Sequence, residues 1–431
     1  MSSVRSKQVA ALALSVLLLV FLSGCSSNTA SEALPTINLQ NPPTGPNVLS
    51  ISVNGGPLFT AGTAVYTNGA FASVTVCSPG STTNCQTIGG ILVDTGSPGL
   101  RLLSSAAGGQ LSISLPQQTD SSGNPIGECA DFASGVAWGP VQTADVTVAG
   151  ETANSLPIEV IGASSPVEPA DCADESQSSV NSLDTLGANG ILGIGPSPND
   201  CGSACAAAVS GSTPPIYYSC PQGTNCNLVS EAVANQVTNP IVMFTTDNNG
   251  SIVELPAISA ATVDGAANGV VVFGIGTESN NGLGSATVLG IDPNTNNIST
   301  IFDNTEFSDS AFFDLGTNLL FFDPLSSALA GTEVCEDGAF DEDDYCPSEN
   351  VALTAENVGV TNSNSAPASF TIGDADELFD ENANAAVING VGAAAGDLVF
   401  DWGLPFFYGT NVYTGIAGET VAGATTPFFA Y

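Results

Sequence analysis

An all-β fold of two lobes is what the sequence predicts, and three observations carry that expectation. Short runs of β-branched and aromatic residues recur along the chain between turn-forming residues. Helical periodicity is scarce, while Gly numbers 47 and Pro 26, a composition suited to many tight turns. One short pattern built around an aspartate occurs twice, once in each half.

The strand signals are "NVLSISV", "FASVTVC", "GGILVDTG", "ADVTVAG", "LPIEVIG", "PIVMFTT", "GSIVELP", "GVVVFGIG" and "ASFTIG", each bounded by Gly, Pro, Asn or Asp. The best helical candidate is "LVSEAVANQV" at 228–237, followed by "LSSALAG" and "DADELFDENANAAV". The repeated pattern is "ILVDTGSPGLRLL" at 91–103 and "AFFDLGTNLLFFD" at 311–323. Each has an apolar run, Asp, one intervening residue, Gly, a hydroxyl residue and a second apolar run. A lone Asp-Thr-Gly behind three apolar residues is an accident of roughly 1 in 50 for such a chain, so a second copy makes chance a poor explanation. Length allows two cores. The expected division is 48–240 with the Asp-Thr-Gly loop and 241–431 with the Asp-Leu-Gly loop.

Arg5 and Lys7 head the apolar stretch "VAALALSVLLLVFL", which is too short for a comfortable membrane span and ends in small residues. "LSGC" at 22–25 resembles the bacterial lipobox, which implies a lipid on Cys25 and cleavage just before it. An ordinary signal peptide with an incidental cysteine is the weaker alternative. Residues 1–24 are thus expected as a signal, and 25–47 as a flexible polar tether. The mature chain is expected in the bacterial cell envelope, held to the membrane only by its N-terminal lipid.

Eleven cysteines less Cys25 leave an even number in an exported chain, so disulfides are expected throughout. Spacing favours Cys77–Cys85 and Cys335–Cys346 and permits Cys129–Cys172. Cys201, Cys205, Cys220 and Cys226 can pair in three ways, with zinc as a poor rival in an oxidising compartment.

Charge is the most unusual feature. The formal net charge is −39, with 42 acidic residues, no histidine and basic residues only at Arg5, Lys7 and Arg101. Once the signal is removed, Arg101 is the single cationic side chain. Nucleic acid and anionic membrane surfaces are therefore poor partners. No Ser-His-Asp triad, Cys-His pair or Ser-Lys dyad can be assembled, and proton transfer falls to carboxylates or tyrosines. Loss of bases suits low pH, where carboxylates neutralise and the chain stops repelling itself. Salt adaptation is a rival reading, but charged residues make up only 10% of the chain. Resistance to proteases that cut after Lys or Arg is a third.

Two carboxylates a few ångströms apart cannot both ionise freely and share a proton, one acting as base and the other as acid. In each repeat, Gly96 or Gly316 lets backbone approach the carboxylate, and Ser97 or Thr317 is placed to hydrogen-bond it. At this point the chain resembles the pepsin-like aspartic peptidases. "NGILGIG" at 189–195 is similar to the segment that crosses under the first catalytic loop of that family, and "DFASGVAWGPVQTADVTVAG" at 131–150 to its flap hairpin and the next strand. "NPIVMFTTDNNGSIVELP" with "GVVVFGIG" resembles the start of its second lobe, and "WGLPFFYGTNVYTGI" at 402–416 its closing segment. The combination of lipobox, "DTGS", "WGPV", "GANGILGIG", "GIGT" and "WGLPFF" resembles more closely a bacterial lipoprotein family of unassigned function. The resemblance covers the chain from about residue 48 and implies a bilobal pepsin-like fold with a cleft between two barrel-like lobes. It implies Asp94 and Asp314 as the catalytic pair, with Thr95, Gly96, Ser97, Gly316 and Thr317 supporting the loops and Phe132 in the flap.

Three positions depart from that family. Leu315 stands where the family has Thr or Ser, leaving Thr95 without its counterpart hydroxyl. An unpaired buried partner of this kind costs about 1–3 kcal/mol. The alternative is that Leu315 packs on an apolar floor while Thr95 bonds backbone. Phe132 keeps the ring of the family's flap tyrosine and loses the phenol. Pro98 stiffens the segment after the first loop.

Other features have plainer readings. "CEDGAFDEDDYC" at 335–346 reads as a solvated acidic disulfide loop rather than a calcium site. "DPNTNN" at 292–297 lacks the glycine and glutamate of a calcium loop. Trp138 and Trp402 read as core, and Arg101 as either a buried charge partner or a surface residue. The expected function is a lipid-anchored, acid-acting endopeptidase, monomeric, acting on peptide or protein without metal or cofactor. A non-catalytic binding or structural lipoprotein of the same fold is the alternative, and a carboxylate-pair glycosidase a distant third.

Overall fold

Strands make up 46% of the structure and helices only 9%, so the fold is all-β. The computed structural model describes residues 36–58, 66–172, 178–207, 216–259, 263–323, 333–335, 344–380, 385–395 and 399–431. The expected signal at 1–24, Cys25, and the candidate helix "LSSALAG" lie outside them, as does most of the acidic loop at 336–343. Within the expected tether, Thr36–Asn38 pairs in parallel with Ala266–Asn268, and the Asn268 amide donates to Asn38 Oδ1 at 2.8 Å. Among the described residues no helix is long and apolar enough to cross a membrane.

In the first half, Cys85–Asp94 lies antiparallel to Gly69–Cys77 and parallel to Gly190–Ile194. Gly190–Ile194 then pairs with Pro98–Leu103, which pairs with Glu151–Ile161 and that strand with Gly135–Val148. Gly135–Val148 returns to Gly69–Cys77 and closes a six-stranded barrel, which leaves that circuit without an edge. Inward side chains are aliphatic: Val74, Val76, Ile88, Val146, Ile158 and Leu192 are fully buried.

The second half holds a seven-stranded half-barrel, in the order Ser365–Ile372, Val351–Val358, Ile298–Phe302, Thr305–Asp314, Phe400–Gly403, Leu320–Phe322, Gly392–Ala393. Its interior is aromatic. Phe400 stacks on Trp402 at 4.3 Å and on Phe322 at 5.0 Å, and Phe302 meets Phe322 edge-on. Such contacts add about 0.5–1.5 kcal/mol each beyond their buried area. Val48–Asn54 pairs with Gly69–Cys77 on one side and Ala266–Phe273 on the other, so one sheet carries strands from both sides of residue 240.

The sequence repeat is also a repeat of topology. Ile91–Asp94 runs parallel to Gly190–Gly193, and Ala311–Asp314 runs parallel to Phe400–Gly403. In each half, the strand after the loop then crosses antiparallel to that same neighbour. Burial on both faces explains the unbroken apolar run before Asp94, while before Asp314 Ala311 and Phe313 are buried and Phe312 is half-buried. Each aspartate ends opposite a glycine. A Cβ on Gly193 would press on the backbone of Ser97 and Pro98, and one on Gly403 would meet the Leu319 carbonyl.

Two sequence expectations fail. "PIVMFTT" forms a 3-10 turn at Pro240–Met243 instead of a strand, because Asn239 Oδ1 accepts the Ile241 N–H at 3.1 Å and proline opens the turn. "LVSEAVANQV" is no helix: Leu228 ends a strand and only Val233–Asn235 turns. Two of its polar residues are buried, with Gln236 donating to the Gly202 and Glu231 carbonyls and the Glu231 N–H bonding Cys205 O. Helix does form at Ala375–Asp380, within the third candidate. Five disulfides join Cys77–Cys85, Cys129–Cys172, Cys201–Cys205, Cys220–Cys226 and Cys335–Cys346, which settles the fourfold cluster. Trp138 and Trp402 are buried, their indoles donating to Pro166 O and Thr300 Oγ1.

Candidate active site

Asp94 and Asp314 end their strands facing one another. The Gly96 N–H donates to Asp94 Oδ1 at 2.7 Å and the Ser97 hydroxyl donates to Oδ2. The second loop repeats this set, with Gly316 N–H to Asp314 Oδ1 at 2.7 Å and Thr317 Oγ1 to Oδ2 at 3.1 Å. Each glycine lies against the opposite carboxyl: a Cβ on Gly316 would come 2.9 Å from Asp94 Oδ1, and one on Gly96 would clash with Asp314 Oδ2. Both carboxyls crowd one glycine, since a Cβ on Gly316 would also lie 3.1 Å from Asp314 Oδ1. Two carboxyls brought this close cannot both ionise freely.

Burial, then the charges of Asp94 and Asp401, hold the Asp314 carboxyl well above the usual carboxylate range, against the pull of the Gly316 N–H. Desolvation and like charge act in the same direction here, and both favour the neutral acid.

Leu315 packs with zero exposure in the main core. Thr95 Oγ1 donates to Phe313 O at 3.0 Å and accepts the Leu315 N–H at 2.8 Å, so one hydroxyl ties the first loop to the second through backbone alone. Thr95→Val should remove both bonds and strand the Leu315 N–H, costing about 1–3 kcal/mol in chemical denaturation. Stability unchanged by that substitution would contradict the cross-link.

Between the halves the aspartates open on a cleft of about 490 Å³, lined also by Tyr66, Leu92, Phe132, Ile191 and Phe321. A larger groove, about 770 Å³ and lined by Asn38, Ser50, Gln110 and Asn189, has no titratable side chain among the described residues of its wall. Phe132 ends the Ile126–Phe132 strand of a hairpin whose other strand begins at Gly135, and the turn residues Ala133 and Ser134 line the cleft with it.

Arg101 lies 5.4 Å from the Phe132 ring centroid, measured from Cζ, and is buried. Its guanidinium meets Glu128 Oε1 at 2.6 Å, Asp200 Oδ1 at 2.7 Å and Glu159 Oε2 at 3.1 Å. The Tyr217 hydroxyl donates to Asp200 Oδ2 at 2.6 Å. One cation cannot neutralise three buried carboxylates. Burial pushes Glu128 well above its usual range and Glu159 up to about 8, with the arginine pulling both down.

Two site residues carried no motif. Tyr66 lines the cleft with its ring edge on Phe71, and burial plus the charges of Asp94 and Asp314 push its phenol up. The next residues clasp the second half: Asn68 Nδ2 donates to Asn318 O at 2.9 Å and Ile388 O at 2.8 Å, while Tyr408 donates to Asn68 Oδ1 at 2.8 Å. Asp401 lies behind the second loop, opposite Phe312 and Phe321 in the sheet, where burial holds its carboxyl well above the usual range and interaction with the Thr317 hydroxyl draws it down. Neither was detectable without knowing which strands neighbour the aspartates. The group at metal-ligand spacing among the described residues, Cys335, Cys346 and Asp376, has both sulfurs in a disulfide.

A family model described as protein of unknown function, DUF3443, matches residues 43–431. The chain belongs to the DUF3443 family. No curated protein matches it. In this DUF3443 protein the match takes in both aspartate loops, the Phe132 hairpin and the Asp401 strand.

Proposed function

We propose that this protein is an aspartic-type endopeptidase with a pepsin-like bilobal fold, exported and anchored to the cell envelope by a lipid on Cys25. The observation that carries the reading is the facing pair of Asp94 and Asp314, held by equivalent donors on two equivalent loops at a cleft. Asp314, the carboxyl held protonated, is the acid, and Asp94 is the base. Water gives a proton to Asp94 as its oxygen bonds the peptide carbon, and the carbonyl oxygen takes the Asp314 proton. The tetrahedral diol then collapses, the C–N bond breaks, the amine takes the Asp94 proton, and a diol hydroxyl returns one to Asp314. The apolar wall formed by Leu92, Ile191, Phe132 and Phe321 suits a peptide with a bulky apolar residue beside the scissile bond.

A silent binder using the same cleft has one observation in its favour: Phe132 faces Arg101 with a ring that has no hydroxyl. Digestion of a denatured protein between pH 2.5 and 7, with and without a statine-type transition-state inhibitor, separates the two. Cleavage at acid pH that the inhibitor stops is the expected result. Substrate left intact at every pH by folded protein rejects the peptidase.

A further inference from the structure

The two halves of the pair are not equivalent behind the loops. On the first side, Leu92 lies opposite Ile191, and Ser97 bonds Asp94. On the second side, Phe312 lies opposite Asp401, the Thr317 hydroxyl donates to Asp314 Oδ2 at 3.1 Å, and the same hydroxyl interacts with the Asp401 carboxyl. Asp401 is 8% exposed, is absent from the cleft lining, and has Oδ1 without a hydrogen-bond partner. A buried carboxyl so poorly satisfied is costly for packing alone.

We infer that Asp401 is a positioning residue that exchanges a proton with Asp314 through the Thr317 hydroxyl and thereby assigns the acid role to Asp314 and the base role to Asp94. The inference rests on reading Asp94 and Asp314 as an acid–base pair. In one arrangement Asp314 Oδ2 holds a hydrogen and donates it to Thr317 Oγ1, whose own hydrogen goes to Asp401. Shifting both hydrogens one place leaves Asp401 protonated and Asp314 anionic, with the proton count unchanged. Ile191 cannot do this for Asp94, so a proton store exists on one side only. The charged groups facing this chain are Asp94 and Asp314 on the two loops, with the Tyr66 phenol over both. Arg101, the one cation among the described residues, is engaged with Glu128, Glu159 and Asp200. Removing Asp401 takes away a like charge from Asp314, so the pair should lose its last proton at lower pH.

The test is a carboxyl ¹³C titration of the full chain labelled at aspartate, with Asp94 and Asp314 signals assigned by their loss in D94N and D314N. Asp401→Asn should move the upper step of the pair down by about one pH unit. Thr317→Val removes the donor to Asp314 Oδ2 and should move the step the opposite way, upward, while Thr317→Ser should restore the wild-type step, a pair of opposed shifts that a merely structural role would not produce. An upper step that stays in place in both folded variants overturns the inference. If the steps couple and move while no peptide is cleaved, the inference stands and the peptidase reading falls. If wild-type Asp94 and Asp314 titrate independently, both fall.

Discussion

Arg101→Met should be the most destabilising single change in the first half, by about 3–5 kcal/mol, because it leaves buried carboxyls with no cation among them. Glu128 and Glu159 belong to barrel and hairpin strands, and Asp200 to the loop beside them, so the loss spreads through the Phe132 hairpin. The effect should grow with pH. Both glutamates are raised above the ordinary value of 4.5, Glu159 to about 8. A raised carboxyl contributes its full stability below the unfolded value and loses it as pH climbs through the folded one. The wild-type urea midpoint should therefore be higher at pH 4 than at pH 8, and Glu159→Gln should flatten that slope. A stability maximum at pH 7–8 would reject both this account and the acid adaptation inferred from composition.

Asp94→Asn and Asp314→Asn should each lower peptide cleavage by ~10³-fold or more, since each removes an obligatory step of proton transfer. A second readout needs no substrate. Asp314 is raised by burial and by neighbouring acids, so ionising it at neutral pH costs folded-state stability. Asp314→Asn should raise the urea midpoint at pH 7 and change it little at pH 3. An Asp314→Asn protein equally stable at both pH values relative to wild type would mean the two carboxyls are not close enough to interact.

Much of the site was legible from local pattern. An aspartate at the end of an apolar run, then glycine and a hydroxyl residue, dictates which atoms bond which within each loop, because those contacts span two or three residues. The Leu315 departure turned out to be accommodated, since a backbone N–H needs no particular side chain to meet Thr95. The misread segments at 228–237 and 240–246 share one cause. Their apolar and polar periodicity was real, but Gln236 and Asn239 bond distant carbonyls and local turns, and such contacts outweigh helix or strand preference.

By itself the sequence determined the class of fold, the exclusion of histidine chemistry, and the identity of the two loop aspartates, because composition and short-range spacing are properties of the chain alone. Tertiary structure decided the pairing of Cys201 with Cys205 and of Cys220 with Cys226, and the burial of Arg101 among three acids. It also brought Tyr66 to the cleft and Asp401 behind Thr317. Those placements come from which strands lie side by side, and strand adjacency is set by the packing of residues far apart in the chain.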